Sequence, residues 1–399
     1  MEEPIENRNE ISPNMRENMA RQSRIFFIDN IRWLMIIFVV MVHAAVTYSS
    51  MGSWCYKEAV KLDIVSIAFF GIFLSFTQAY SMGFLFLIAG YFVPGSLDRK
   101  GLARFLRDRA VRLGIPTLIY MLFINSAINY YFLAFEWTTP RPPVGRYFLD
   151  YILSLDFLSG SGPMWFALAL LIFSAIYAAF RRFSHNPHRQ QADGKLPGHL
   201  AIAGLALLIS VCAFAIRLVQ PIGTDLMNMQ LGFFSQYIIL FITGIIAYRN
   251  NWLVRIPYSL GVNWFKAALI GGSIFWLAIM IQGGGLSGDF SKYAGGPYWQ
   301  SAAYALWESF FCVGVCLGLI VLFRERFSRQ GKLAKFMSDN YFSVYVFHPP
   351  ILILVTLALK DFAWHPIIKF AVSCAIAISL CFLASHFIFR RIPLLKRVL

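Results

Sequence analysis

The sequence predicts an all-α, polytopic membrane protein of about ten transmembrane helices with both termini in the cytoplasm. Three observations lead there. Hydrophobic residues make up 58% of 399 while charged residues make up only 14%, against about 45–50% and about 25% in soluble domains. Mean hydropathy is +0.61. The apolar residues are gathered into runs of roughly 17–28 residues, and a hydrocarbon core about 30 Å thick needs about 20 apolar residues per helix.

The runs place spans at 25–47, 65–93, 112–134, 163–180, 200–220, 231–248, 264–282, 301–323, 338–359 and 366–389. Residues 1–24 are polar and mixed in charge, which predicts a disordered cytoplasmic tail ahead of one membrane domain over 25–399. No signal-peptide pattern precedes Arg24, so the first span itself must direct insertion. Net charge is +15. Its distribution argues against nucleic acid as the partner. With the N-terminus inside, twenty-six of the 35 Lys and Arg fall in cytoplasmic segments and seven outside. That is the positive-inside asymmetry, and the bilayer is the implied partner.

The six cysteines form no disulfide framework, because Cys212, Cys312, Cys316, Cys374 and Cys381 lie in spans and Cys55 stands alone outside. Cys312 and Cys316 share a helix face but lack His or carboxylate company, so packing is expected and no metal. The 135–162 loop, with Pro140, Pro142 and Pro143, suits either a connector or a cover over a membrane mouth. The 181–199 loop, with His185, His188 and His199, reads as a flexible connector.

Ionisable groups inside spans are costly and call for a reason. The first span carries Asp29, Arg32 and His43. Arg32 and His43 are eleven positions apart, which puts them about 20° apart around a helix and ~16.5 Å apart along it. Asp29 lies near the same stripe. Snorkelling of Arg32 with Asp29 as its partner is an equal alternative, and His43 could bond a neighbouring helix. Arg109 and Arg112, three apart on a helix entering the membrane, suit a phosphate-bearing ligand; ordinary positive-inside charge is the competing reading. Trp165 starts the fourth span, where an aromatic belt also explains it. Arg217 stands near the outer end of the fifth span, Glu308 lies within the eighth, and His348 precedes Pro349 and Pro350, where the ninth helix is expected to break.

In order along the chain stand Phe27-Ile-Asp29-Asn-Ile-Arg32 with His43, Phe86-Leu-Ile-Ala-Gly90-Tyr91-Phe92, Arg109-Ala-Val-Arg112-Leu-Gly-Ile-Pro116, Met164-Trp165-Phe166, Tyr345-Val-Phe-His348-Pro349 and Arg391-Ile-Pro393-Leu-Leu-Lys396. With these motifs the chain resembles the membrane-bound acyltransferase-3 family over nearly its whole length, closest to its glucan-succinylating branch. Trp33 stands where the family often has Gly. The resemblance implies transfer of an acetyl or succinyl group from cytoplasmic acyl-CoA to a hydroxyl of an extracytoplasmic saccharide. It implies a cell-membrane location, the inner membrane in a Gram-negative bacterium, and no permanently bound cofactor. In that chemistry His43 acts as general base with Arg32 and Asp29, Arg109 and Arg112 hold CoA phosphates, and Glu308, Trp165, Arg217 and His348 line the acceptor side. A transporter or flippase for a saccharide or lipid-linked substrate explains the buried charges as well. It explains less readily a histidine set above a cytoplasmic arginine pair.

Overall fold

The computed structural model describes every residue except 1–24, 60, 134–139, 185–191, 286–287, 289, 397 and 399. The expected tail, and His185 and His188, lie outside the described residues. Helices dominate and no strand occurs among the described residues. Ten helices there are long and apolar enough to cross a membrane: Phe26–Ser49, Ile64–Lys100, Leu102–Phe132, Gly162–Phe183, His199–Arg217, Leu231–Arg249, Tyr258–Gln282, Trp299–Arg326, Lys332–Ala358 and Pro366–Arg391. They are called the first to tenth spans below. The chain is a multi-pass membrane protein.

The second span ends seven residues later than expected, the seventh and ninth start six residues earlier, and two further features differ more. The third span starts at Leu102, ten residues earlier than its apolar run. Backbone hydrogen bonding continues the helix through Arg104, Arg107 and Arg109, whose long side chains reach polar surroundings from an amphipathic turn. The ninth helix is not broken at Pro349 and Pro350 but runs unbroken from Lys332 to Ala358. The prolines remove backbone donors inside a helix that continues past them.

The centre of the bundle is formed by the first, second, sixth, eighth and ninth spans, which bury about half or more of their most apolar stretches. The second and sixth spans pack most closely. A Cβ on Gly90 would meet the carbonyl of Phe241, and one on Gly244 would meet the carbonyl of Leu87. Small residues let the two backbones touch, a recurrent means of joining helices where hydrophobic burial gives no drive between them. At one end of the bundle Asp98 accepts from Arg181 (3.1 Å) and Arg249 (2.6 Å). That pair of bonds ties the last turns of the second, fourth and sixth spans together.

The third span is wound loosely, with π-helical turns at Ala110–Gly114, Tyr120–Ile124 and Ile128–Phe132. Pro116 has no N–H to give to the carbonyl of Arg112, so the ladder shifts to a wider turn there. Such turns collect at functional sites, and the first one carries Arg112.

Candidate active site

The first span brings three polar side chains to one stripe. Asp29 accepts from Arg32 at 3.1 Å, and the Arg32 guanidinium lies 4.4 Å above the centre of the Phe92 ring. In the same turn, Asn30 donates to the carbonyls of Phe327 (2.8 Å) and Arg329 (3.3 Å) and accepts from Gln330. This pins the start of the first span to the loop between the eighth and ninth. Trp33 donates its indole N–H to Asn30 Oδ1 at 3.2 Å, so the bulky residue fits by joining this network.

Arg109 and Arg112 come to the same end. Arg109 stands over Phe105 and Arg112 over Phe342, at 5.2 and 5.6 Å from the ring centres. Arg109 is within electrostatic reach of both Arg112 and Arg32. Among the described residues neither Arg109 nor Arg112 forms an ion pair. Three guanidiniums gathered with, among the described residues, one carboxylate partner, Asp29, make a concentrated positive charge. Its natural complement is a multiply charged phosphate ligand.

Deeper in the bundle, His43 Nδ1 lies 3.0 Å from His348 Nε2. The ring planes differ by only 11°. His348 Nδ1 in turn lies 2.8 Å from the carbonyl oxygen of Tyr345. The prolines explain this contact. Pro349 cannot donate to the carbonyl of Tyr345, four residues earlier, so that oxygen is left without its helical partner and takes the imidazole N–H instead.

The partners settle the tautomers. A carbonyl only accepts, so His348 Nδ1 carries hydrogen, and in the neutral ring its Nε2 is a bare acceptor. His43 Nδ1 must then donate to it. That leaves His43 Nε2 as a lone pair with no donor among the described residues, on a ring that is half-buried while His348 is fully buried. A base fixed in one tautomer by a second group is the arrangement that general-base sites share.

A third ring covers the pair. The first span ends at Ser50, which is left-handed, and Gly52 at φ +125° turns the chain back, a conformation that glycine adopts at little cost. Trp54 then lies flat on His43, with ring centres 4.0 Å apart and planes 17° apart, and parallel to His348 at 6.2 Å. Nothing in the sequence singled out Trp54. It stands in a loop without periodicity, and only its place within reach of His43 gives it meaning.

The remaining candidates form a separate group. Arg217 Nη2 lies 2.5 Å from Glu308 Oε2, with the two side chains 1% and 2% exposed. Arg217 Nε also donates to the carbonyl of Gly232, while Arg217 Nη1 and Glu308 Oε1 are buried without a hydrogen-bond partner. Tyr237 is within electrostatic reach of both and accepts from Gln78; Trp165 stacks on Tyr237 with centres 5.6 Å apart. Trp165 therefore belongs with Arg217 and Glu308. The two groups meet through Tyr345, whose hydroxyl donates to the carbonyl of Pro163 at the start of the fourth span. No cluster of three or more His, Cys, Asp or Glu side chains suited to a metal occurs among the described residues. Cys312 and Cys316 lie side by side, buried, with sulfurs 3.9 Å apart.

Comparison with known proteins places the chain in a class. Residues 25–386 match the family described as an acyltransferase domain, the acyltransferase-3 family, and the chain belongs to it. Among its relatives is the glucans biosynthesis protein C of Salmonella heidelberg (strain SL476), 24% identical over 392 residues that cover 94% of each chain. The protein of that name from Salmonella gallinarum is 27% identical over 202 residues, about half of each chain. No solved structure matches.

Proposed function

We propose that the protein is an O-acyltransferase that moves an acetyl or succinyl group from cytoplasmic acyl-CoA to a hydroxyl of an extracytoplasmic saccharide. The observation that carries this is the bare Nε2 of His43, oriented by His348 and set deeper in the bundle than the Arg32, Arg109 and Arg112 group. Membership of the acyltransferase family supports the reaction class. The glucans biosynthesis proteins among the relatives favour a glucan as acceptor.

The residues divide the task by depth. The arginines hold the phosphates of CoA at the basic end, for which the positive-inside asymmetry of the sequence supports a cytoplasmic location. His43 lies ~16.5 Å further along the helix than Arg32, so a donor bound among the arginines extends its thioester inward towards the imidazole. The acceptor hydroxyl approaches from the other side. His43 Nε2 removes the hydroxyl proton as the oxygen attacks the thioester carbon. The carbonyl electron pair moves to oxygen, then returns as the C–S bond breaks. The departing thiolate takes the proton from His43, and the ester is left on the saccharide. Arg32 is the cation nearest the donor's path inward on the same helix stripe. Arg217, Glu308 and Trp165 line the acceptor side, where a paired cation and carboxylate beside an aromatic face suit a polyhydroxylated ligand.

The test is direct. Purified protein is incubated with labelled acetyl-CoA or succinyl-CoA and a glucan, and label in the saccharide is measured. Incorporation with either donor is the expected result. Movement of a saccharide across proteoliposomes without any label transfer would instead identify a transporter.

A further inference from the structure

Resting on this reading, we propose that Trp54 is a cover over the histidine pair that makes the site choose a saccharide hydroxyl over water. The indole lies flat on His43 and parallel to His348, so one rigid plate spans both imidazoles. Its N–H is buried with no hydrogen-bond partner among the described residues. Such a donor is a standing cost to the closed arrangement. A hydroxylated ligand arriving at His43 can satisfy it.

The loop that carries Trp54 is fastened at points remote from the histidines. Glu58 N–H donates to the carbonyl of Thr47 at 2.9 Å. The Glu58 carboxylate pairs with Lys369 at 2.5 Å, the two side chains being 13% and 4% exposed. Asp63 pairs with His365 at 2.6 Å and caps the second span through Ser66 N–H, and these bonds hold its carboxyl below the usual range. Tyr56 is buried against Ile128 and Ile353. The loop is thus strapped to the start of the tenth span, and a passing water has too little binding energy to lift it. An acceptor that binds through many hydroxyls has enough, and closure without it keeps the activated thioester from water.

Hydrolysis is the side reaction to be prevented. Water attacks the thioester carbon, His43 Nε2 takes its proton, the C–S bond breaks, and the thiolate recovers that proton, giving free acid and CoA. Removing the cover should therefore raise hydrolysis as it lowers transfer.

The experiment measures free CoA and acylated saccharide in parallel for wild type, Trp54→Ala, Trp54→Phe, Glu58→Gln and the exchange Glu58→Lys/Lys369→Glu. Trp54→Ala should shift the ratio of hydrolysis to transfer several-fold towards hydrolysis. Trp54→Phe, which keeps an aromatic plate, should stay close to wild type in that ratio. Should Trp54→Ala not fold, Glu58→Gln reports instead: it should loosen the strap and shift the ratio the same way, and the exchange should bring it back. Adding His43→Gln to Trp54→Ala should abolish the excess hydrolysis, because it uses the same base. An unchanged ratio in Trp54→Ala, or in Glu58→Gln if the former fails to fold, would overturn the proposal for Trp54 while active wild-type transfer left the acyltransferase reading standing. A wild type that transfers nothing, or a His43→Gln that transfers normally, would remove both.

Discussion

His43 and His348 stand 305 residues apart in sequence, yet Nδ1 of the first and Nε2 of the second are joined by a 3.0 Å hydrogen bond. Tyr345 orients His348 through its carbonyl, and His348 orients His43. The chain of contacts leaves one lone pair, on His43 Nε2, for external chemistry.

If His348 serves to orient His43, its loss should lower turnover and leave donor binding alone. His348→Leu removes the acceptor of the His43 Nδ1–H and lets the ring take either tautomer. His348→Gln keeps a carbonyl oxygen that can accept that hydrogen. Steady-state kinetics should show a lower kcat for the leucine variant, partial recovery for the glutamine variant, and an unchanged KM for acyl-CoA in both. A raised KM for the saccharide with normal kcat would instead make His348 a residue that touches the acceptor.

Arg109→Ala and Arg112→Ala should each weaken acyl-CoA binding by about 1.5–3 kcal/mol, the usual range for a hydrogen bond to a charged group. Neither guanidinium has an ion-pair partner among the described residues, so folding should change little. Calorimetric titration with acyl-CoA, beside thermal melting in detergent, separates the two effects. Normal affinity in both variants would return these arginines to the role of topological charge.

Arg217→Ala should behave differently, because Arg217 and Glu308 are each other's partner and both side chains are buried. Removing one member of such a pair strands the other, typically at a cost of about 3–5 kcal/mol. Arg217→Ala should therefore melt well below wild type, and Arg217→Met/Glu308→Leu should regain part of that loss. A single variant as stable as wild type would mean that the pair is held ready for a ligand and contributes little to the fold.

The spans were legible because a bilayer imposes a length and a composition that few other structures share. The third span was misread at its start because hydropathy reports apolar content and not backbone hydrogen bonding, and Leu102–Arg109 is helical despite its arginines. His43, His348, Arg217 and Glu308 stood out singly as polar groups in apolar runs. Their pairing did not, since a contact between the first and ninth spans leaves no trace in local periodicity. The prolines after His348 suggested a break, whereas their effect is to release one carbonyl inside a helix that continues. Lys369, one of the seven basic residues that the charge count puts outside, is buried on Glu58. Trp54 gave no signal, because a loop residue acquires a role only from what it folds back upon.

The most direct test of the central claim is the rate at which His43→Gln moves labelled acyl groups from acyl-CoA to saccharide. Glutamine keeps hydrogen-bonding capacity and cannot accept a proton at neutral pH. Loss of a general base typically costs about 10²–10⁴ in rate, so transfer should fall by that much while the variant inserts normally and binds acyl-CoA as wild type does. Near-normal transfer by well-folded His43→Gln would contradict the account and make the imidazole pair a structural bond between the first and ninth spans.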